Sequence, residues 1–204
     1  IVNAIAEPIR DLNDLPYTDR SIFNMDKYLK RDSETLVLSA RGCPGKCKFC
    51  ATSKMGRRLR TFSIKRLCDE IEECLNLGFK SFFISDDTFA FSDKRIDRFY
   101  REVKNRQLNF KWTSNIRIVD INEEKIKKMK DIGAYRVFTG IETISNYSSE
   151  LINKQLNIKK IVDAIDMLKK YLEVHTSFIV GSPGDTEETM EGTLKFIRDI
   201  NPTL

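Results

Sequence analysis

From Thr35 onward one pattern recurs five times: an apolar run, a polar loop, then apolar residues spaced three or four apart. Short apolar runs bounded by turn residues read as strands, and the wider spacing reads as one buried face of a helix. Strands are predicted at about 35–41, 81–85, 110–116, 135–141 and 174–180. The first helix opens at Ser63, a residue type that caps exposed backbone N–H groups. It aligns Ile64, Leu67, Ile71 and Leu75 and stops at Gly78. The second begins near Ser92 and aligns Ile96, Phe99, Tyr100 and Val103. The third runs from Asn122 to Gly133 with Ile126, Met129 and Ile132 inward. The fourth starts near Asn157 with Ile158, Ile161, Ile165 and Leu168. The fifth opens on Asp185-Thr186-Glu187-Glu188, a capping-box-like spacing, and packs Met190, Leu194 and Ile197.

Strands that alternate with helices pair in parallel, with helical crossovers between them. The expectation is an α/β partial barrel, with its ligands at the C-terminal ends of the strands. A further strand is expected where the sequence reaches Asn201-Pro202-Thr203-Leu204. Residues 1–33 show no regular period. Glu7-Pro8-Ile9-Arg10 and Leu15-Pro16-Tyr17 read as an extended linker, because proline restricts itself and the residue before it. The start, Ile1-Val2-Asn3-Ala4, suggests a piece of something longer, with the core domain at 34–204.

Composition adds bounds. The 204 residues are 41% hydrophobic and 32% charged, the profile of a soluble globular protein. No apolar run approaches the roughly 20 residues that span a bilayer. A net charge of +5 permits an anionic partner without demanding one, and there is no strong nucleic-acid signal. The basic run Arg57-Arg58-Leu59-Arg60 reads as a solvated or ion-paired loop. Cys68 and Cys74 fall within the first long helix and read as packing residues. His175, the single histidine, can point to either face of its strand and reads as structural.

The chemistry concentrates in Cys43-Pro44-Gly45-Lys46-Cys47-Lys48-Phe49-Cys50, directly behind the first strand. Thiolates bind iron–sulfur clusters, and these three supply all but one of the four ligands of a 4Fe–4S cube. A structural zinc site usually wants four ligands, often as paired CxxC units. A disulfide framework fits poorly with five cysteines in a chain of this length. Thiols at this spacing argue for a reducing compartment, the cytoplasm.

The triplet, with Phe49 before its last cysteine, resembles the signature of the radical S-adenosylmethionine (radical SAM) superfamily. The resemblance implies a partial (βα)6 TIM-like barrel, its sixth strand truncated here, with Cys43, Cys47 and Cys50 as ligands of the 4Fe–4S cluster. It implies that the open iron chelates SAM, and that one electron cleaves SAM to a 5′-deoxyadenosyl radical that abstracts hydrogen from an unactivated carbon. Ser85-Asp86-Asp87-Thr88-Phe89 lies where the superfamily binds SAM's amino group. Ser114-Asn115-Ile116-Arg117 ends in a residue suited to a carboxylate. Gly140-Ile141-Glu142-Thr143 is similar to the family's Gly-Ile-Glu-Ser, although Phe138 stands where many relatives carry a small polar residue. Ile179-Val180-Gly181-Ser182-Pro183-Gly184 is similar to its adenine-packing segment. The implied SAM contacts are therefore Phe49, Asp86, Asp87, Asn115, Arg117, Glu142, Ile179, Gly181 and Pro183.

Residues Asp11 to Arg20, Phe83 to Phe89 and Trp112 to Arg117 resemble the cobalamin-binding subclass. In that subclass a cobalamin domain precedes the core, and methyl transfer or ring formation follows. A small-molecule or peptide substrate is implied, with a flavodoxin or ferredoxin as reductant. A methylthiotransferase acting on RNA or protein is the alternative enzyme; it wants a second cysteine triplet upstream. A degenerate core kept as a binding module is the non-enzyme alternative, against which the intact triplet argues.

Overall fold

Strands send alternate side chains to opposite faces, and in this chain one of those faces is packed by helices. The computed structural model describes residues 9–29, 34–54, 58–154 and 157–203. A short turn of helix at Leu12–Asp14 and α1 (Met25–Leu29) precede β1 (Thr35–Val37), β2 (Ala40–Arg41), α2 (Ala51–Lys54) and β3 (Arg60–Thr61). Next come α3 (Ile64–Asn76), β4 (Ser81–Ile84), α4 (Asp93–Asn105), β5 (Lys111–Ile116) and α5 (Glu123–Asp131). The rest is β6 (Ala134–Glu142), α6 (Asn146–Leu151), α7 (Ile158–Lys169), β7 (Glu173–Phe178) and α8 (Glu187–Ile200). Strands β1, β4, β5, β6 and β7 form one parallel sheet in chain order. That order is the wall of an α/β barrel left open.

The outer face carries Phe82, Ile84, Trp112, Val137, Ile141 and Val174, which pack with Leu67 and Ile71 of α3, Phe99 of α4, Met129 of α5 and Ile165 of α7. Aromatic rings meet edge to face at its centre: Phe89 lies 5.3 Å from Trp112 and 5.5 Å from Phe99 between centroids. The Trp112 indole donates to the Ile132 carbonyl at 2.9 Å, so its one polar atom is satisfied inside the core. Capping follows the sequence signals at Ser63, Asn122 and Asn157, whereas Ser92 makes no side-chain cap hydrogen bond. Ser63 Oγ accepts from the Arg66 amide at 3.2 Å. The capping box of α8 uses Thr186 and Thr189, one residue later than the acidic run suggests.

Three differences from the sequence reading have physical causes. The strand expected at 35–41 breaks after Val37, because the Ser39 and Ala40 amides turn to the Asp86 carboxylate instead of to a strand. Residues 40–41 then pair antiparallel with β3. Helix α6, too short to show a period, was not anticipated. Residues 12–20 are docked on α3: Leu12 is fully buried, Arg66 donates to the Asn13 and Pro16 carbonyls, and Arg20 pairs with Glu70 at 2.9 Å. After α8, Asn201 takes a left-handed turn with φ 41° and Thr203 donates to the Val174 carbonyl at 2.9 Å. The chain thus returns to the free edge of β7, where a sixth barrel strand would pair. Among the described residues, no helix is long and apolar enough to cross a membrane.

Candidate active site

The inner face of the sheet carries a different set. Extended alternation puts Phe83, Asn115, Phe138, Gly140, Glu142, His175 and Ser177 opposite the helices. All of these but Phe83 line a cavity of about 710 Å³ at the C-terminal strand ends. Cys43, Cys47, Cys50, Asp87, Arg117 and Glu142 line it together.

The cysteine loop rises from the β2–β3 stem and is tied down on both sides. Asp87 accepts from the Gly42 amide and from Thr52 Oγ1, each at 3.1 Å. On the other side the Lys48 amide donates to Ile152 O at 2.9 Å, and Asn153 Nδ2 donates to Lys46 O at 2.9 Å. Within the loop, the Gly45 amide donates to Cys43 Sγ at 3.3 Å. A β-carbon on Gly45 would stand 3.3 Å from Cys43 Sγ and 3.9 Å from Cys47 Sγ, so this glycine leaves the space between two sulfurs clear. Burial pushes the Cys43 thiol up, opposed by the Gly45 amide and by the charge of Arg117. Among the described residues no three His, Cys, Asp or Glu side chains converge as they would on a single metal ion. A 4Fe–4S cube takes one thiolate per iron, so its ligands surround a volume rather than meet at a point. An all-cysteine donor set around a glycine cradle fits that group.

Arg117 reaches the cavity and, among the described residues, pairs loosely with Asp120 at 3.7 Å. Burial raises the Asp120 carboxyl, against the pull of Arg117 and Lys125. Glu142 is held at φ 71°, a left-handed conformation uncommon for a side chain of its size. Its carboxylate pairs with Lys154 at 3.3 Å, the two side chains 11% and 17% exposed. Lys154 also lies 5.9 Å from the centroid of the Phe49 ring, which is 42% exposed at the cavity wall.

The radical SAM superfamily profile matches residues 37–197. The chain belongs to the radical SAM superfamily. The cofactors of radical SAM enzymes are a 4Fe–4S cluster and SAM. The chain is 33% identical over 198 residues to an uncharacterized methyltransferase of Pyrococcus horikoshii, covering 95% of this chain and 43% of that protein. It is 32% identical over 204 residues to the anaerobic magnesium-protoporphyrin IX monomethyl ester cyclase of Rubrivivax gelatinosus, covering 97% and 37% respectively. The chain thus spans about two fifths of the length of these relatives. Its fold is similar to that of the radical SAM methyltransferase TsrM from Kitasatospora setae, solved with cobalamin and a [4Fe-4S] cluster bound. The TM-score is 0.77 at 17% identity, over 87% of this chain and 37% of that one.

Against this radical SAM frame the expected contacts divide. Phe49, Asp87, Asn115, Arg117 and Glu142 reach the cavity with the three cysteines. Asp86 does not: it is fully buried, because it follows Phe82 and Ile84 in the alternation and points to the helix side. Ile179, Gly181 and Pro183 are outside the lining residues, although the Ile179 amide donates to Glu142 O at 2.7 Å and so brings the segment to the cavity's edge. Lys154, Phe138 and His175 line the cavity and were missed as site residues. His175 packs edge-on against Phe138 at 5.0 Å, and burial with nearby Arg136 holds its imidazole below the usual range. The apolar neighbour Val174 was the available signal, since it fixes which parity faces the helices. Lys154 sits in a loop and gave none. Cys68 and Cys74 are core residues, their thiols pushed up to about 12 and about 11 by burial. Arg57 lies outside the described residues; Arg60 donates to the Ile9 carbonyl.

Proposed function

We propose that this chain is the radical-generating core of an enzyme that uses cobalamin, held by an upstream domain, for methyl transfer or ring formation on a small-molecule or peptide substrate. The observation that carries the reading is the meeting of three cysteines from one loop with Asp87, Arg117 and Glu142 around one cavity. The names of the relatives support the reaction class. Cys43, Cys47 and Cys50 would each hold one iron. When bound, the cluster supplies the electron that breaks the sulfonium bond of SAM.

The chain's own residues bind and orient. Arg117 presents a planar pair of donors to a carboxylate, and its weak tie to Asp120 leaves it available. Glu142, and Asp87 when it gives up its loop bonds, offer acceptors for an ammonium or ribose hydroxyl. Phe138 and Ile118 give the cavity an apolar wall that sheds water, as a site that shields a radical needs. His175, neutral at physiological pH, offers one ring donor and one acceptor to the substrate side. A low-potential flavodoxin or ferredoxin in the cytoplasm fits as reductant. Anaerobic reconstitution should give about four irons per chain and a SAM affinity that weakens about tenfold in Arg117→Ala. An iron-free chain, or unchanged affinity, overturns the corresponding assignment.

A further inference from the structure

The adjacent carboxylates Asp86 and Asp87 face opposite ways, and neither is idle. Asp86 Oδ1 accepts from the Ser39 amide at 2.7 Å and the Ala40 amide at 2.8 Å, and Oδ2 accepts from Ser39 Oγ. On the carbonyl side of Ser39, Arg95 of α4 donates to Ser39 O at 2.8 Å and to Phe62 O at 3.2 Å. The Phe62 amide also donates to Ser39 O, at 3.0 Å. Both polar groups of the Ser39 backbone are therefore fixed by buried charges, one of each sign. The Asp86 carbonyl is tied in turn by Asn115 Nδ2 at 3.0 Å. This knot ends the β1–β4 ladder at Val37 opposite Ile84 and sends the chain into the β2–β3 stem.

Asp87 works above the knot. Its two oxygens take one bond from Gly42, just before the first cysteine, and one from Thr52, just after the last. One carboxylate thus spans the neck of the loop that carries all three thiols.

We propose that Asp86 and Asp87 are positioning residues for the iron–sulfur loop: Asp86, with Arg95, sets where the loop leaves the sheet, and Asp87 clasps its two ends. The inference rests on the reading of Cys43, Cys47 and Cys50 as cluster ligands. It departs from the expectation that both acids contact SAM, since Asp86 is sealed from the cavity. A loop of irregular backbone has many conformers, and three sulfurs spaced for one cube belong to few of them. External ties that hold its ends reduce that choice before the cluster forms.

The test uses shape-preserving changes away from the thiols. Thr52→Val removes one arm of the clasp and Thr52→Ser keeps it; Ser39→Ala removes one bond of the knot. Each full chain is reconstituted anaerobically, and three readouts follow: the electron paramagnetic resonance spectrum of the reduced cluster, the rate of cluster loss to an iron chelator, and the melting temperature of the cluster-free chain. Thr52→Val should lose its cluster about tenfold faster than the parent, with an altered spectrum and an unchanged melting temperature. Thr52→Ser should behave as the parent, and Ser39→Ala should fall between. Parental loss rates and spectra in both Thr52→Val and Ser39→Ala overturn the positioning role alone. A parent chain that takes up no iron overturns the cluster reading and the proposal together.

Discussion

Two glycines in this chain meet nearly the same contact and should respond to alanine in opposite ways. At Gly133, φ is 92° and an added β-carbon would sit 1.9 Å from the Phe110 carbonyl oxygen. That oxygen belongs to the backbone just before β5 and cannot yield without moving the sheet. The left-handed backbone costs roughly 1–2 kcal/mol for alanine and the overpacking roughly 1–3 more. Gly133→Ala should therefore lose about 2–5 kcal/mol, or about 4–20 °C in melting temperature for a chain of this size. At Gly140 the added carbon would sit 2.0 Å from Glu142 Oε1 and 3.0 Å from its Cδ, and 3.4 Å from Ser177 Oγ. Here the obstacle is the end of a flexible side chain facing a cavity. Glu142 can swing away, giving up its 3.3 Å pair with Lys154, and both ends can then reach water. The fold should lose about 1 kcal/mol or less. The acceptor proposed for SAM would be displaced, and on that proposal losing one charge-assisted bond should weaken binding about tenfold or more. Isothermal titration of the reconstituted chain with SAM, beside its melting temperature, separates the two. Parental SAM affinity in Gly140→Ala, or destabilisation equal to that of Gly133→Ala, would refute the reasoning.

Two further outcomes are expected. Replacing Cys43, Cys47 or Cys50 with alanine should abolish the brown chromophore near about 400 nm, whereas Cys68→Ala and Cys74→Ala should keep it; an intact chromophore in a triplet variant removes that thiol from the site. Burial holds the Asp86 carboxyl above the usual carboxylate range, against the Ser39 and Ala40 bonds and the charge of Arg95. The folded chain thus keeps a proton that the unfolded chain has already released. That contribution to stability is fully present below the ordinary value of 3.8 and is lost as pH rises through the raised one. Asp86→Asn carries no such proton, so its stability should not show the decline; parallel denaturant curves for parent and variant across that window would contradict it.

The sequence revealed what periodicity and chemistry can carry. The five βα units were legible because each helix keeps a three-to-four spacing and each strand an apolar run. The cysteine triplet was legible because its spacing is local. Asp86 was misread as a cavity residue for a physical reason: Ser81-Phe82-Phe83-Ile84 is apolar on both faces, so the strand gives no parity to decide which acid turns inward. The break after Val37 was invisible because its cause is a carboxylate 47 residues away. Lys154 could not be found, since its place beside Glu142 depends on how α6 ends, and α6 is six residues long.

That ending also explains how the site holds together. The carbonyl of Ile152 and the side chain of Asn153, which itself turns through φ 56°, hold the cysteine loop from the β6 side. The next residue is Lys154, which pairs with Glu142 and lies over Phe49. Hence the segment that fixes the thiols and the cation that partners the cavity's acid are three consecutive residues. On the β4 side, Asp87 does both jobs with one side chain, gripping the loop while facing the cavity. A molecule that takes acceptors from Glu142 or Asp87 therefore competes with bonds that hold the loop or its neighbours. The cavity's acids and the cysteine loop are for that reason joined by direct contacts on both sides of the site.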